Sequence, residues 1–314
     1  MAQRILAVVG PTAAGKTRLA VELALRCNGE VVSADSMQIY RSMDIGTAKP
    51  TREEMRGIPH HMLDVAEPGE EFSVARYVEQ ARACVEDILA RGRLPIVAGG
   101  TGLYVDSLLS GRTFAPHYPD SPLRAELQRR AREAGTVSLW KELKSVDPEA
   151  AALLHANDEK RVIRALEVWY QTGRTITQHN RESRAAPPRY QALIIGLAFR
   201  ERPDMWARID RRTDAMMAAG LEGEVRALLD RGVPLTCTAM QAIGYKELAR
   251  AMLSGGSATG AAEEIKLRTR QYAKRQLTWF KRNQEIRWHF WAKEPDFPAA
   301  VLASTEYMEE FGLV

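Results

Sequence analysis

The stretch VVGPTAAGKT, Val8 to Thr17, decides the class of fold. An apolar run, Ile5 to Val9, leads straight into Gly10. Pro11, Thr12, Ala13 and Ala14 separate that glycine from Gly15, and Lys16 and Thr17 open an amphipathic run that continues to Cys27. A strand, a glycine-bracketed loop and a helix in this order form the nucleotide-binding type of phosphate loop. Backbone N–H groups at the helix start converge on phosphate oxygens, Lys16 supplies a point charge, and the Thr17 hydroxyl is the candidate ligand for Mg²⁺. The loop predicts a bound phosphate. By itself it does not say whether that phosphate belongs to ATP.

Working outward, short apolar runs alternate with longer amphipathic ones: RILAVVG, Lys16 to Cys27, EVVSADS, Ser73 to Arg91, LPIVAGG. This is the βαβ pattern of an α/β fold, a P-loop-containing parallel sheet flanked by helices. Active groups of such sheets emerge at the carboxyl ends of strands. That singles out Gly10 to Thr17, Asp35 to Tyr40 and Gly99 to Tyr104. Near TFAPHYPDSP the texture changes, and Pro122 to about Thr177 reads as wholly helical, ending at the polar stretch NRESRAAPPRY. An inserted small all-helical domain over 118–189 is expected, leaving 1–117 and 190–314 as the catalytic core. ALIIGLAF returns to the sheet. Helices over Pro203 to Ala219 and Leu221 to Arg231 should follow, closed by Gly220 and Gly232.

The 314 residues, 45% of them hydrophobic, have ample length to bury a core. Ile5 to Val9 is too short for a signal-peptide core and reads as the first buried strand. No stretch approaches the roughly 20 apolar residues of a membrane span, so no membrane partner is expected. Cys27, Cys84 and Cys237 lie far apart without paired spacing, which predicts reduced thiols and a cytoplasmic location. The net charge of +4 is modest. Its distribution is not: Lys266, Arg268, Arg270, Lys274, Arg275, Lys281 and Arg282 follow one another without an acid, interleaved with Tyr272, Trp279 and Phe280. Such a run fits a phosphate backbone with stacked bases, or a helix whose aromatics face the core.

Phosphoryl transfer normally needs an acidic Mg²⁺ ligand at the end of a second strand. LPIVAGGTG offers glycines and Thr101 there instead. Asp35 is left as an isolated acid, either capping the next turn or serving as a general base opposite the phosphate loop. His60 and His61 are adjacent and lack a third ligand at metal-binding spacing, so they read as structural or substrate-edge residues. Arg208 and Arg212, four apart, share a helical face suited to a diphosphate or to solvent. Asn157 is the expected cap of a helix that carries Lys160, Arg161 and Arg164 close together on its surface.

The motifs GPTAAGKT, ADSMQIY, DIGTAKP, IPHHMLD, GGTGLY, NDEKRVIRALE, RIDRRTDAM, QAIGYKE and RQYAKRQLTWF, in this order, closely resemble the bacterial tRNA dimethylallyltransferases from the first strand to about Phe280. The last thirty or so residues match no motif of that set. The resemblance implies transfer of a dimethylallyl group from dimethylallyl diphosphate to the exocyclic N6 amine of the adenosine 3′ of the anticodon, in tRNAs reading U-initial codons. It implies Mg²⁺ as cofactor, the tRNA anticodon stem-loop as partner, and a cytoplasmic monomer. Asp35 matches the base, Thr101 the contact to the bridging oxygen, and Lys16 and Arg212 the diphosphate ligands. Ser36, Met37 and Gln38 would line the adenine. Lys160, Arg161, Arg164, Gln241, Gly244, Tyr245, Lys246, Lys274 and Arg275 would meet the RNA. The rival readings are an adenylate isopentenyltransferase, a small-molecule kinase of the same fold, and a non-catalytic RNA-binding protein.

Overall fold

The computed structural model describes residues 3–115, 121–185 and 187–314. The chain divides into two compact units, Met1–Leu109 with Arg189–Val314, and Ser110–Pro188. The boundary expected at 117/118 lies outside the described residues.

The larger unit is built on strands β1 (Gln3–Val9), β2 (Gly29–Ser33), β3 (His60–His61), β4 (Leu94–Gly99), β5 (Tyr190–Phe199) and β6 (Arg287–Trp291). They form one six-stranded sheet in the order β3-β2-β4-β1-β5-β6, parallel throughout. Ile5 to Val9 are all fully buried, as a parallel strand covered on both faces requires. The register pairs Val9 with Gly99 and with Gly196, and Ser33 with Ala98. The loops after β1, β2 and β4 therefore leave the sheet side by side at one edge.

Helices cover the sheet: α1 (Lys16–Arg26), the short α2 (Arg52–Met55), α3 (Val74–Ala90) and α4 (Gly102–Leu109). The Ser73 hydroxyl caps α3 by accepting from the Arg76 amide. After β5 come α10 (Arg202–Ala218) and α11 (Leu221–Asp230), with Gly220 and Gly232 at positive φ where they close. α12 (Tyr245–Ser254), α13 (Ala258–Phe280) and α14 (Phe297–Phe311) complete the unit. The last segment, without a recognised motif in the sequence, supplies edge strand β6 and a helix whose Phe297, Ala300, Val301 and Met308 join the core around α1.

The smaller unit holds α5 (Pro122–Ala134), α6 (Thr136–Val146), α7 (Pro148–Leu153), α8 (Glu159–Thr172) and α9 (Ile176–Ala185). Leu127, Leu139, Leu143, Val162, Ile163 and Leu166 form its core. α9 runs through NRESRA, past the expected end near Thr177. Asp147 explains how: nearly buried, it caps α7 through the Ala150 amide and accepts from the Thr177 amide and hydroxyl, which fixes the start of α9. The cap of α8 is Asp158, which accepts from the Arg161 amide, rather than Asn157.

At the sheet end away from the three loops, Glu30 is 1% exposed. Its carboxylate is bonded by Arg91, by Arg93 at 2.7 Å and by His61 at 2.7 Å. The Arg91 hydrogen bonds, followed by those of His61 and Arg93, overcome the opposing effect of burial and hold the carboxyl at about 2, below its usual 4.5. His61 is thereby structural. A folded value below the unfolded one means stability fully present above pH 4.5 and lost as pH falls toward 2, on the order of 3 kcal/mol. Glu30→Gln should therefore lower the urea midpoint near pH 7 and flatten its fall between about pH 5 and 2. An unaltered acid limb would show that Glu30 does not govern it.

Candidate active site

The phosphate loop takes its shape from what its carbonyls bond. Lys16 Nζ donates to the Pro11 carbonyl at 2.8 Å, Arg208 Nε to that of Ala13 at 2.8 Å, and Trp291 Nε1 to that of Ala14 at 2.9 Å. Gly10 sits at φ +140° with the Leu197 carbonyl 2.3 Å from where a Cβ would be, and Gly15 at φ +89° has the Phe297 ring 2.6 Å from its own. Neither position admits a side chain. With the carbonyls satisfied by side chains, the amides of Ala13, Gly15, Lys16 and Thr17 have no protein acceptor among the described residues. Unpaired amides at a helix start, beside a lysine, make an anion site.

Lys16 is half-buried as a residue, with its amine enclosed. Burial pulls its pKa down to about 8; Asp35 raises it and Arg212 lowers it further. Arg212 is likewise lowered, by burial first, with Asp35 opposing, and its Nη1 lies 3.3 Å from the Thr12 hydroxyl. Two cations and one carboxylate thus act on one another at the loop.

The loop after β2 brings Asp35 to the same place. Asp35 Oδ1 accepts from the Met37 amide at 2.9 Å, the turn-capping role, while Oδ2 has no protein partner among the described residues. The capping hydrogen bond leaves the second carboxylate oxygen unbonded among the described residues. Thr101 joins this loop to the one after β4: its Oγ1 accepts from the Ser36 amide at 3.0 Å and lies 3.3 Å from the Ser36 hydroxyl. A cavity of about 310 Å³ opens beside the loops after β1 and β2. Thr12, Asp35, Ser36, Met37 and Arg212 line its polar end, and Ile209, Met216, Leu221 and Ile265 its apolar walls. Gln38 is not among the lining residues. Its amide is engaged within the loop, accepting from Ser33 and donating to the carbonyls of Thr47 and Ala48, and so helps to shape the turn.

DIGTAKP forms another wall. The Glu224 carboxylate accepts from the amides of Asp44, Ile45 and Gly46 at 2.8, 2.8 and 3.1 Å. Tyr245 is fully buried, bonds Glu224 and packs on Gly46, where a Cβ would meet its ring at 2.5 Å. It is a core residue and is not available to RNA. Gly244 and the exposed Gln241 line the cavity, while Lys246 is exposed outside its lining.

α13 separates its basic residues into two groups. Lys266 pairs with Asp214 and Glu263, Arg268 with Glu264, and Arg270 with Asp210. Lys274, Arg275, Lys281 and Arg282 make no ion pair among the described residues. Arg275 lines the cavity beside Tyr272. Phe280 is core, and Trp279 packs on Gly102 and donates to Asp106. In the smaller unit Lys160 and Arg161 are exposed on α8. Arg164 departs from the expected surface trio: it is half-buried, bonds the Ala115 carbonyl at 2.8 Å and lies 3.7 Å from the buried Glu167.

Sequence reasoning missed Gln276, Trp291 and Phe297. The signal for Gln276 was present, since it lies four residues after Tyr272 and so on the same helical face. Trp291 and Phe297 gave none, because only the tertiary fold brings them to the loop.

The IPP transferase family profile matches residues 38–283 and the isopentenyl transferase profile residues 3–68. The chain is 50% identical over 291 residues to a tRNA dimethylallyltransferase of Caldanaerobacter subterraneus, covering 92% of each. It is 47% identical over 284 residues to that of Acetivibrio thermocellus, covering 90% of each. Among solved structures, the full-length tRNA isopentenylpyrophosphate transferase of Bacillus halodurans aligns with TM-score 0.73 at 40% identity, covering 98% of this chain and 96% of that one. A eukaryotic dimethylallyltransferase captured acting on tRNA aligns with TM-score 0.84 at 27% identity, over 98% of this chain and 80% of that one.

Because Lys16 loses its proton near pH 8 in the free protein, affinity for a diphosphate monoester should fall as pH rises beyond that point, at first by about tenfold per unit. Lys16→Arg, whose charge persists, should hold the plateau to higher pH. Calorimetric titration from pH 6.5 to 9.5 would show this, and superimposable profiles would remove Lys16 from the anion site.

Proposed function

The chain belongs to the IPP transferase family, a premise from which we propose that it transfers the dimethylallyl group of dimethylallyl diphosphate to N6 of the adenosine 3′ of the anticodon, releasing diphosphate. The observation that carries this reading is the pairing of an anion loop with four unpaired amides and a carboxylate, Asp35, with one free oxygen across the same cavity.

In this reading the diphosphate occupies the loop, bonded by the amides of Ala13, Gly15, Lys16 and Thr17 and by the side chains of Lys16 and Arg212. Those donors stabilise charge that grows on the leaving oxygen, with Thr101 at the bridging position. The N6 lone pair attacks the allylic C1, the C1–O bond breaks with its electron pair on the diphosphate, and Asp35 Oδ2 takes the N6 proton. Ser36 and Met37 flank the adenine. The Thr17 hydroxyl makes no hydrogen bond among the described residues, and no cluster of three His, Cys, Asp or Glu side chains that could hold a metal is found among them. Such a site fits Mg²⁺, which keeps its waters and takes few protein ligands beside substrate oxygens. Thr17 would hold it, and the ion supplies further charge neutralisation at the diphosphate.

A stacked anticodon base reaches the cavity only when flipped out, which costs a few kcal/mol. Phosphate contacts from Lys274, Arg275 and Lys246, with Gln241 beside them, would offset that cost, and Lys160 and Arg161 of the helical insert would add to them. The protein works as a cytoplasmic monomer in this account.

Mass spectrometry of an unmodified anticodon stem-loop incubated with protein, Mg²⁺ and dimethylallyl diphosphate should show one added prenyl unit on that adenosine. Transfer of labelled γ-phosphate from ATP would replace this reading with a kinase. Asp35→Asn should cut turnover by about 10²-fold or more while RNA affinity stays nearly unchanged; parallel losses would deny it the role of base. Replacing Lys274 and Arg275 by alanine should reduce the salt dependence of RNA binding by about 0.7 per lost phosphate contact. An unchanged slope would exclude that face of α13 from the RNA surface.

A further inference from the structure

One carboxamide on α13 grips the loops after β1 and β4 together. Gln276 is 6% exposed. Its Oε1 accepts from the Thr12 amide at 2.8 Å and its Nε2 donates to the Gly100 carbonyl at 2.9 Å. A Cβ on Gly100 would stand 2.3 Å from that nitrogen, so only glycine there lets the amide reach. One turn earlier, the side chains of Thr101 and Gln276 act on the Tyr272 hydroxyl, against the larger effects of burial and Asp35; one turn later Trp279 sits against Gly102. The two residues directly before Gln276, Lys274 and Arg275, are exposed cations.

A rigid helix that shows cations to solvent on one side and holds two substrate-binding loops on the other links the two surfaces. Capture of the Thr12 N–H fixes the start of the loop whose later amides are unpaired. The second hydrogen bond ties that loop to the backbone next to Thr101. Anything that immobilises α13 from outside therefore lowers the entropy still to be lost when an anion orders the loops. We propose that Gln276 is a positioning residue that couples RNA bound on the Lys274–Arg275 face to the diphosphate loop, each ligand tightening the other. This rests on the reading above, in which RNA meets that face and a diphosphate fills the loop.

The test compares wild type with Gln276→Met, which keeps the length of the side chain and loses both hydrogen bonds. Calorimetry measures affinity for inorganic pyrophosphate with Mg²⁺, with and without saturating unmodified anticodon stem-loop. In the wild type the stem-loop should tighten pyrophosphate by about fivefold or more, the usual range of coupling. In Gln276→Met the enhancement should fall below about twofold, with stem-loop affinity itself within about twofold of wild type. Amide exchange at Thr12 in the ligand-free protein should quicken by about tenfold as its acceptor is lost. If the methionine variant does not fold, Gln276→Glu, which keeps an acceptor for Thr12 and loses the donor to Gly100, is expected to show the same loss of enhancement. A wild type that binds stem-loop and pyrophosphate without mutual enhancement, or a folded variant whose enhancement equals that of wild type, overturns the coupling and leaves the proposed reaction standing. A wild type that does not bind the stem-loop overturns both.

Discussion

Backbone polarity sets the terms for this molecule. A helix start that leaves amides free for an anion must dispose of the carbonyls in the same loop, because buried polar groups left unpaired are costly. Here Lys16, Arg208 and Trp291 take those carbonyls, from α1, α10 and β6. Three elements far apart in sequence thus converge on eight residues. The parallel sheet makes the convergence possible, since β1 lies between β4 and β5, and β6 follows β5 at the edge.

The same logic recurs around the cavity. Glu224 is to DIGTAKP what Arg208 and Trp291 are to the phosphate loop: a side chain from another helix that satisfies a turn's backbone and so holds a wall in place. Gln276 does this for two loops together. Groups free to meet substrate, such as the Thr17 hydroxyl and Asp35 Oδ2, stand among neighbours already committed to one another. Preorganisation of this kind keeps donors and acceptors from collapsing onto each other before substrate arrives.

Much of this was readable from local pattern. A glycine-bracketed loop between a buried strand and an amphipathic helix has few alternatives, and the parallel sheet and its functional edge followed from the alternation of runs. Candidate residues on short loops after strands, Lys16, Asp35, Ser36 and Thr101, could be placed at one end of the sheet because position along a strand fixes which end they occupy. Residues on helices were harder. A helical residue meets solvent or core according to what packs against its face, and the sequence does not record the packing partner. Tyr245 and Arg164 therefore turned inward against Glu224 and Glu167, and three of the seven cations of the basic run were neutralised by acids on their own helix and on α10. Gln38 illustrates a third limit, since the sequence does not record that its side chain bonds the backbone of its own turn.

The bond from Trp291 to Ala14 spans 277 positions of sequence. On the ribosome, where the chain emerges from its amino end, the phosphate loop is made well before β6 and α14, which pack behind it. Contacts of such separation form slowly because a long segment must first be closed. The loop thus takes its final shape only once β6 has joined the sheet and its tryptophan has closed on Ala14.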